Sequence, residues 1–333
     1  MMSHVSKSFQ QRPSAPRLIR PLSSDAKTVL TPETKSNMAT AAALRAGPNL
    51  YSSVSAYRAF RRSLLPSLKV GFVPTMGALH EGHLSLVKKA MTQNDLVVAS
   101  IFVNPTQFGE GEDLDKYPRQ LERDTELLSD LGVDHLFVPN IDDMYSKDFG
   151  TYVDCKSFDN IPESIVRPGH FRGVATIVTK LFNIIQPNNA YFGQKDAGQC
   201  VLIRRIVEDL DMDVNIVVGE TVREHDGLAK SSRNAYLSAI ERPAAAIINQ
   251  SLLAAKDAWI KNPLIESSEL IAITRGVLES EPLVSEIQYI SVESMATMKA
   301  VSKPSDSKDG TTISLGCVVG SVRLIDNIVL KIE

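Results

Sequence analysis

The feature that most constrains the fold is a series of short, continuously apolar segments in the middle of the chain. Five are recognisable: Val70–Val73, Leu96–Val103, His135–Val138, Ala190–Phe192 and Val214–Val218. They are too short for buried helices, and they lack the polar alternation of strands that have one face in water. Segments with helical spacing of apolar residues separate them. We therefore predict an α/β fold in which a parallel sheet is covered by helices on both faces.

The pattern changes after Asn234, where two predicted helices precede three strand-like segments. The helices are expected at about residues 239–260 and 267–280, and the strands at 287–292, 312–319 and 322–329. Strands joined by short turns predict an antiparallel sheet. We expect a parallel-sheet domain over residues 41–222 and a smaller C-terminal α+β domain over residues 223–333. The polar segment 302–310 is predicted to be a surface insertion in a hairpin.

Composition excludes several classes of protein. The net charge of −3 gives no basic field for nucleic acid, and no apolar run is long enough to span a bilayer. Cys155, Cys200 and Cys317 are widely spaced and odd in number, so we expect free thiols rather than a disulfide framework or a zinc site. Free thiols favour a reducing compartment such as the cytoplasm.

Residues 1–40 are expected to form an extension that is either disordered or a targeting segment. From residue 1 to residue 24 there is no acidic residue, and basic residues are interspersed with serines and prolines. This composition is typical of a mitochondrial transit peptide. However, Pro13, Pro16 and Pro21 interrupt any amphipathic helix, which favours a solvated tail. A cytoplasmic and a mitochondrial location both remain open.

Polar motifs follow four of the predicted strands directly. They span residues 75–83, 104–119, 193–199 and 220–234. Ligands of parallel sheets bind beyond the carboxyl ends of the strands. We therefore expect these four loops to meet at one crevice.

The first motif contains two histidines, His80 and His83, at the start of a predicted helix. Backbone N–H groups and the helix dipole favour an anion there, and imidazoles can stabilise charge on a displaced polyphosphate. The zincin metal motif has its histidines four residues apart, whereas these are three apart with Gly82 between them. The pair therefore indicates a phosphate site rather than a metal site.

The other motifs supply polar and cationic groups. Asn104 and Gln107 suit a polar substrate, Lys195 suits phosphate, and Arg233 suits bidentate phosphate contact. Each loop could instead be a solvated turn or a linker, and Asp196 could only cap a helix. No GxSxG serine, activated cysteine or Walker sequence is present. Because the sequence offers polar and cationic groups but no such nucleophile or phosphate loop, it favours catalysis by positioning and electrostatics, with a metal ion bound to the phosphates.

Five segments together resemble the pantoate–β-alanine ligase family, a Rossmann-like nucleotidyltransferase group with an HxGH signature. They are Val73–Val87, Phe102–Arg119, Arg167–Val174, Tyr191–Gln199 and Asp226–Asn234. The resemblance runs from about residue 40 to the C-terminus. It implies that pantoate attacks ATP to give pantoyl adenylate and pyrophosphate, and that β-alanine then displaces AMP. It also implies Mg²⁺ and a homodimer.

The resemblance assigns roles to individual residues. The ATP loop would comprise Met76, Gly77, Ala78, Leu79, His80, Glu81, Gly82 and His83, with His83 as proton donor. Ribose and phosphates would be held by Gly193, Gln194, Lys195, Asp196, Ser231, Ser232 and Arg233, and adenine by the backbone of Val222. Gln107 and Gln199 would hold pantoate, with Asn104 and Arg167 nearby and Asp124 as a Mg²⁺ ligand. His80, His83, Lys195 and Arg233 would be the catalytic residues.

One residue of the ATP site departs from the family pattern. Lys230 stands where the family usually has Met or Leu, so it either brings an extra cation to the phosphates or faces solvent. Two other functions stay open at this stage. The chain could be a related nucleotidyltransferase that stops at an adenylylated product, or a nucleotide-binding regulator without catalysis.

Overall fold

A computed structural model describes residues 47–331 of the chain. The predictions for residues 1–40 therefore lie outside the described part. The described residues form one compact unit. Among the described residues, no helix has both the length and the apolar character needed to cross a membrane.

The larger sheet has six strands, all parallel, in the order β1-β4-β3-β2-β5-β6. Their bounds are β1 Asn49–Tyr51, β2 Val70–Thr75, β3 Leu96–Ile101, β4 His135–Phe137, β5 Asn189–Gly193 and β6 Asn215–Gly219. The parallel sheet is thus confirmed, and its middle strands are buried on both faces, as their apolar runs predict. The short first strand was not predicted.

Helices connect and cover these strands. They are α1 Val54–Ser63, α2 Glu81–Gln93, α3 Leu121–Leu131, α4 Ile141–Met144, α5 Pro162–Val166, α6 His170–Ile185 and α7 Ala197–Asp209. Two separate apolar cores pack against the sheet. One is centred on α6 and α7, and the other contains α2 and Leu128 of α3. Helices therefore cover both faces of the sheet, in agreement with the predicted layers.

The C-terminal part has its own core between helices and a second sheet. Its helices are α8 Glu241–Ala244, α9 Ile247–Lys261 and α10 Ser267–Glu279. Strands β7 Val284–Ser294, β8 Thr311–Val319 and β9 Val322–Leu330 pair antiparallel in sequence order. The α+β character of this part is confirmed, while the division of the chain at residues 222 and 223 stays a prediction.

Two details of the C-terminal part differ from the prediction or refine it. The single helix expected at 239–260 is divided into α8 and α9 at Ala245 and Ala246, where the backbone N–H groups of Ala246 and Ile248 bond to carbonyl groups three residues back instead of four. The polar segment 302–310 does connect two hairpin strands, and it contains a short 3₁₀ helix at Pro304–Asp306. Pro304 is buried, so this segment is anchored rather than wholly exposed.

Candidate active site

The sheet reverses its direction of winding at β2. After β2 the chain proceeds to β3 and β4 on one side, whereas β5 and β6 lie on the other side. Ligands of open α/β sheets bind at such a switch point, beyond the carboxyl ends of the strands. A pocket lies there, and residues from all four predicted loops line it. The predicted convergence of the loops is therefore observed.

The histidine pair forms the start of α2. His80 is the N-cap residue, and its Nδ1 accepts a hydrogen bond from the backbone N–H of Gly82 at 3.1 Å. His83 Nδ1 accepts from the backbone N–H of His80 at 3.3 Å. A Cβ on Gly82 would lie 2.9 Å from Cε1 of His80, so glycine is needed for this ring to lie against the helix start. The HxGH spacing thus has a direct steric cause.

These hydrogen bonds fix the protonation of both rings. Because each Nδ1 accepts, the proton of each neutral imidazole lies on Nε2. Burial, together with nearby positive charge, lowers the pKa of His80 to about 4 and that of His83 to about 3. Both rings line the pocket. At neutral pH they are therefore neutral N–H donors, suited to hydrogen-bonding an anion rather than to transferring a proton before the anion binds.

Asp124 lies behind the histidine loop and is fully buried. Its two carboxylate oxygens accept from the backbone N–H groups of Ala78 and Leu79, both at 2.8 Å. These bonds hold a loop in which Gly77 and Ala78 have positive φ angles of 84° and 51°. Asp124 does not line the pocket, so the structure does not favour the predicted Mg²⁺ contact. Its carboxylate instead holds the loop that carries His80.

The loop after β3 places an amide cluster in the pocket. Asn104 is buried and its Nδ2 donates to Oε1 of Gln107 at 3.0 Å, while Gln107 Nε2 donates to the sulfur of Met76 at 3.3 Å. Gly173 of α6 makes room for this loop, since a Cβ there would lie 2.2 Å from the carbonyl oxygen of Thr106. The Gln107 amide is therefore oriented from both ends.

A buried charged network supports the same loop. Arg167 donates through Nε and Nη2 to both carboxylate oxygens of Glu112, at 2.8 and 2.6 Å, and through Nη1 to His170 Nε2 at 2.9 Å. His170 Nδ1 in turn donates to the carbonyl oxygen of Gln107 at 2.8 Å. Burial and the charge of Arg167 lower the pKa of His170 to about 3. The neutral ring therefore links the arginine to the amide loop.

The loop between β5 and α7 contributes Lys195 and Asp196. The Lys195 ammonium lies 3.6 Å from a carboxylate oxygen of Asp196. Desolvation opposes ionisation of Asp196, but the positive charges of Lys195 and Arg233 keep its pKa below the ordinary value. Gln199 of α7 also lines the pocket. This wall therefore carries one ammonium, one carboxylate and one amide.

The segment after β6 closes the pocket from the C-terminal side. Lys230 Nζ lies 2.9 Å from Glu81 and 3.0 Å from Glu224, and these carboxylates raise the pKa of Lys230. Ser232 Oγ donates to the carbonyl oxygen of Ala78 at 3.1 Å. Two charged or polar contacts therefore join this segment to the histidine loop. Lys230 lines the pocket rather than facing bulk solvent.

Arg233 forms a bidentate pair with a carboxylate. Its Nε and Nη2 donate to both oxygens of Asp113, at 2.9 and 2.8 Å. Asp113 follows Glu112, so two consecutive carboxylates each bind one arginine in a bidentate pair. A phosphate that engages Arg233 would replace Asp113 as the partner.

Most of the predicted site residues line the pocket. They are Met76, His80, Gly82, His83, Asn104, Gln107, Arg167, Gly193, Lys195, Asp196, Gln199, Val222, Lys230, Ser231, Ser232 and Arg233. The others stand behind the wall or beside it, namely Gly77, Ala78, Leu79, Glu81, Gln194 and Asp124. Sequence analysis missed further lining residues, among them Tyr117, Glu163, His170, Glu220 and Arg323. Of these, Tyr117, His170 and Glu220 lie within segments that the sequence had already singled out, whereas Glu163 and Arg323 lie outside them.

The described residues contain no group of three or more His, Cys, Asp or Glu side chains that could hold a metal ion. Mg²⁺ commonly binds through substrate phosphates and only one or two carboxylates. The donor set of the pocket therefore fits a Mg²⁺ ion that arrives with a nucleotide. Asp196 is the lining carboxylate that lies 3.6 Å from the Lys195 ammonium.

A parallel sheet with its pocket at the switch point, walled by neutral imidazoles, a lysine and an arginine, defines a nucleotide-binding α/β enzyme. Comparison with known families narrows this class. The family model described as pantoate-beta-alanine ligase matches residues 49–329. The chain belongs to the pantoate–β-alanine ligase family.

Individual relatives agree with that assignment. Pantothenate synthetase from Fervidobacterium nodosum is 50% identical over 266 residues, covering 79% of this chain and 91% of the relative. The crystal structure of pantothenate synthetase from Thermus thermophilus matches with a TM-score of 0.77 and 42% identity, over 84% of this chain and 98% of that chain. The Francisella tularensis ligase, solved with an ATP ligand and β-alanine, matches with a TM-score of 0.70 and 36% identity, over 85% and 97% of the two chains.

Proposed function

We propose that this protein catalyses the ATP-dependent condensation of (R)-pantoate with β-alanine, forming pantothenate, AMP and pyrophosphate through pantoyl adenylate. The observation that carries the proposal is one pocket that combines phosphate-binding groups with uncharged amides. Its phosphate-binding groups are His80, His83, Lys195 and Arg233. Family membership selects pantoate and β-alanine among the substrates that such a pocket could take.

In the first step, a carboxylate oxygen of pantoate attacks the α-phosphorus of ATP, and the bond to pyrophosphate breaks. Negative charge increases on the leaving pyrophosphate. The Nε2–H groups of His80 and His83 donate to its oxygens, while Lys195 and Arg233 neutralise its charge. Arg233 exchanges Asp113 for phosphate as its partner when ATP binds.

The acid is held by amides rather than by a nucleophile. Gln107 is fixed by Asn104 and Met76, so its amide presents a defined donor and acceptor to pantoate. Gln199 faces the same pocket from α7. No covalent enzyme intermediate is needed, because the adenylate itself activates the carboxyl group.

In the second step, the amine of β-alanine attacks the carbonyl carbon of the adenylate. The carbon–oxygen bond to AMP breaks, the amine loses a proton, and an amide forms. Asp196 is the residue that would hold a Mg²⁺ ion bound with ATP, and the ion would supply additional neutralisation of phosphate charge. The pocket groups keep the adenylate in place while the amine approaches.

We further propose a cytoplasmic homodimer. Cys155, Cys200 and Cys317 are free thiols, which suits a reducing compartment. Two-fold dimers are the most common oligomers of soluble enzymes. Imaging of the tagged full chain tests the compartment against the mitochondrial alternative, and light scattering tests the dimer.

Product analysis tests the reaction. Purified protein with pantoate, ATP and Mg²⁺ is expected to release at least one equivalent of pyrophosphate before β-alanine is added, and AMP and pantothenate afterwards. Formation of ADP would contradict the proposal. Release of pyrophosphate with no AMP release after β-alanine is added would indicate a nucleotidyltransferase that stops at an adenylylated product, and absence of turnover would indicate a binding protein.

A further inference from the structure

A buried asparagine of the C-terminal sheet contacts the loop that carries Lys195. Asn327 lies in β9, is only 4% exposed, and donates through Nδ2 to the carbonyl oxygens of Gln194 and Lys195 at 2.9 and 2.8 Å. Its Oδ1 accepts from Nε2 of Gln194 at 3.2 Å. One amide side chain therefore makes three hydrogen bonds to two consecutive residues of the loop.

This geometry explains the position of Gln194, which does not line the pocket. Its side chain bonds to Asn327, outside the pocket. Among the described residues, Asn327 is the donor to both backbone carbonyl groups of this turn, those of Gln194 and Lys195. Fixing two successive carbonyls fixes the backbone from which the Lys195 side chain extends.

Asn327 is itself held by a buried ion pair. Its backbone N–H donates to Asp326 Oδ1 at 2.8 Å. Asp326 accepts two hydrogen bonds from Arg223, at 2.6 and 3.1 Å, and Arg223 also donates to the carbonyl oxygen of Asn327 at 3.3 Å. Arg223 directly follows Val222, which lines the pocket. Two consecutive residues of strand β9, Asp326 and Asn327, thus join the loop after β5 to the segment after β6.

We propose that Asn327 is a positioning residue for the reaction, which holds Lys195 in the orientation that binds the phosphates of ATP. This inference rests on the proposed function. Asn327 does not line the nucleotide pocket and acts through the lysine. The C-terminal sheet would then contribute directly to the phosphate site on the parallel sheet.

A double-mutant cycle on ATP binding tests the proposal. Asn327→Asp keeps the size of the side chain but removes both Nδ2 donors and sets carboxylate oxygens against two carbonyls. We expect Asn327→Asp to raise the Kd for ATP at least tenfold in the wild-type background, and by no more than twofold in the Lys195→Ala background. Titration calorimetry with ATP gives all four constants. The same factor in both backgrounds, or a rise below twofold in the wild-type background, would overturn the proposal.

Two controls separate positioning from loss of structure. Asn215→Asp makes the same chemical change at an exposed residue where β6 begins, at the end away from the pocket, and should leave the Kd for ATP unchanged. If Asn327→Asp does not fold by circular dichroism, Asn327→Ser takes its place in the cycle, with the same criteria. If wild-type protein binds ATP but forms no AMP, the proposed function fails, and the cycle still tests the link to Lys195.

Discussion

Replacing Asp124 by asparagine separates two roles that its position in the sequence leaves open. In the structure, both oxygens of the buried carboxylate accept backbone N–H groups, from Ala78 and Leu79. Asparagine keeps one acceptor but turns an NH₂ group toward the second N–H. A buried donor left without a partner costs about 1–3 kcal/mol, and the loss of charge from the remaining bond adds about 1 kcal/mol. We expect the free energy of unfolding to fall by about 2–4 kcal/mol in total.

The same change should disturb catalysis through the histidine loop. Gly77 and Ala78 have positive φ angles, and the carboxylate holds this part of the loop directly before His80. Displacement of a catalytic group by about 1 Å can cost on the order of 100-fold in rate. We therefore expect kcat for pyrophosphate release to fall about 10–100-fold, while the Mg²⁺ concentration for half-maximal rate stays within about twofold.

The assays are thermal unfolding and pyrophosphate release over a series of Mg²⁺ concentrations. For a protein of this size, the expected loss corresponds to a Tm decrease of roughly 3–6 °C. Asp130→Asn, the same change at an exposed residue of α3, is the matched control and should leave both measurements unchanged. An unchanged Tm together with a tenfold higher Mg²⁺ requirement would refute this reasoning and make Asp124 a metal ligand.

Three further substitutions test the charges of the site. Lys230→Met leaves Glu81 and Glu224 without a counter-charge, so KM for ATP should rise about 3–10-fold in steady-state kinetics while kcat stays nearly unchanged. Glu224→Gln in the Lys230→Met background should reverse part of this rise. An equal rise in KM for pantoate would contradict the prediction. Arg233→Lys loses the bidentate fork, and single-turnover pyrophosphate release should slow about 100-fold; a loss below about threefold would remove Arg233 from the catalytic set. The His170 pKa of about 3 in the native state lies below the ordinary value of 6.5, so its stabilising contribution is complete above pH 6.5 and is lost as pH falls toward 3. Urea unfolding between pH 5.5 and 4.5 should therefore show a pH dependence smaller by about 1.4 kcal/mol per pH unit in His170→Asn, whereas equal slopes would contradict the shift.

The fold was largely predictable because burial of the middle strands leaves a simple sequence pattern. Strands β2 and β3 are covered on both faces, so nearly all of their positions are apolar, with Thr75 and Ser100 as exceptions, and the short-range sequence pattern is sufficient to predict them. The edge strand Asn49–Tyr51 was missed, since it has three residues and its first two are exposed. The helix that follows it was also missed, because three arginines make it polar on average and Tyr57 is its one fully buried residue, with Val54 and Phe60 only partly buried against the core.

The site was predictable to the extent that topology brings strand ends together. His80, Lys195 and Arg233 follow different strands, and a parallel sheet places those strand ends at one edge. The partners that orient these groups were not predictable. Asp113 and Asn327 are 120 and 132 residues away from the residues that they hold, and no local pattern specifies such contacts. The same reason accounts for Asp124, whose position on a helix does not reveal that it faces a loop 45 residues earlier.

The transfer of one oxygen atom tests the central claim most directly. Pantoate labelled with oxygen-18 in both carboxylate positions is supplied with ATP, Mg²⁺ and β-alanine, and the label in each product is measured by mass spectrometry. Attack of the carboxylate on the α-phosphorus predicts one labelled oxygen in AMP, one in pantothenate and none in pyrophosphate. Unlabelled AMP together with label in inorganic phosphate would contradict the adenylate mechanism, because it would require activation at the γ-phosphorus.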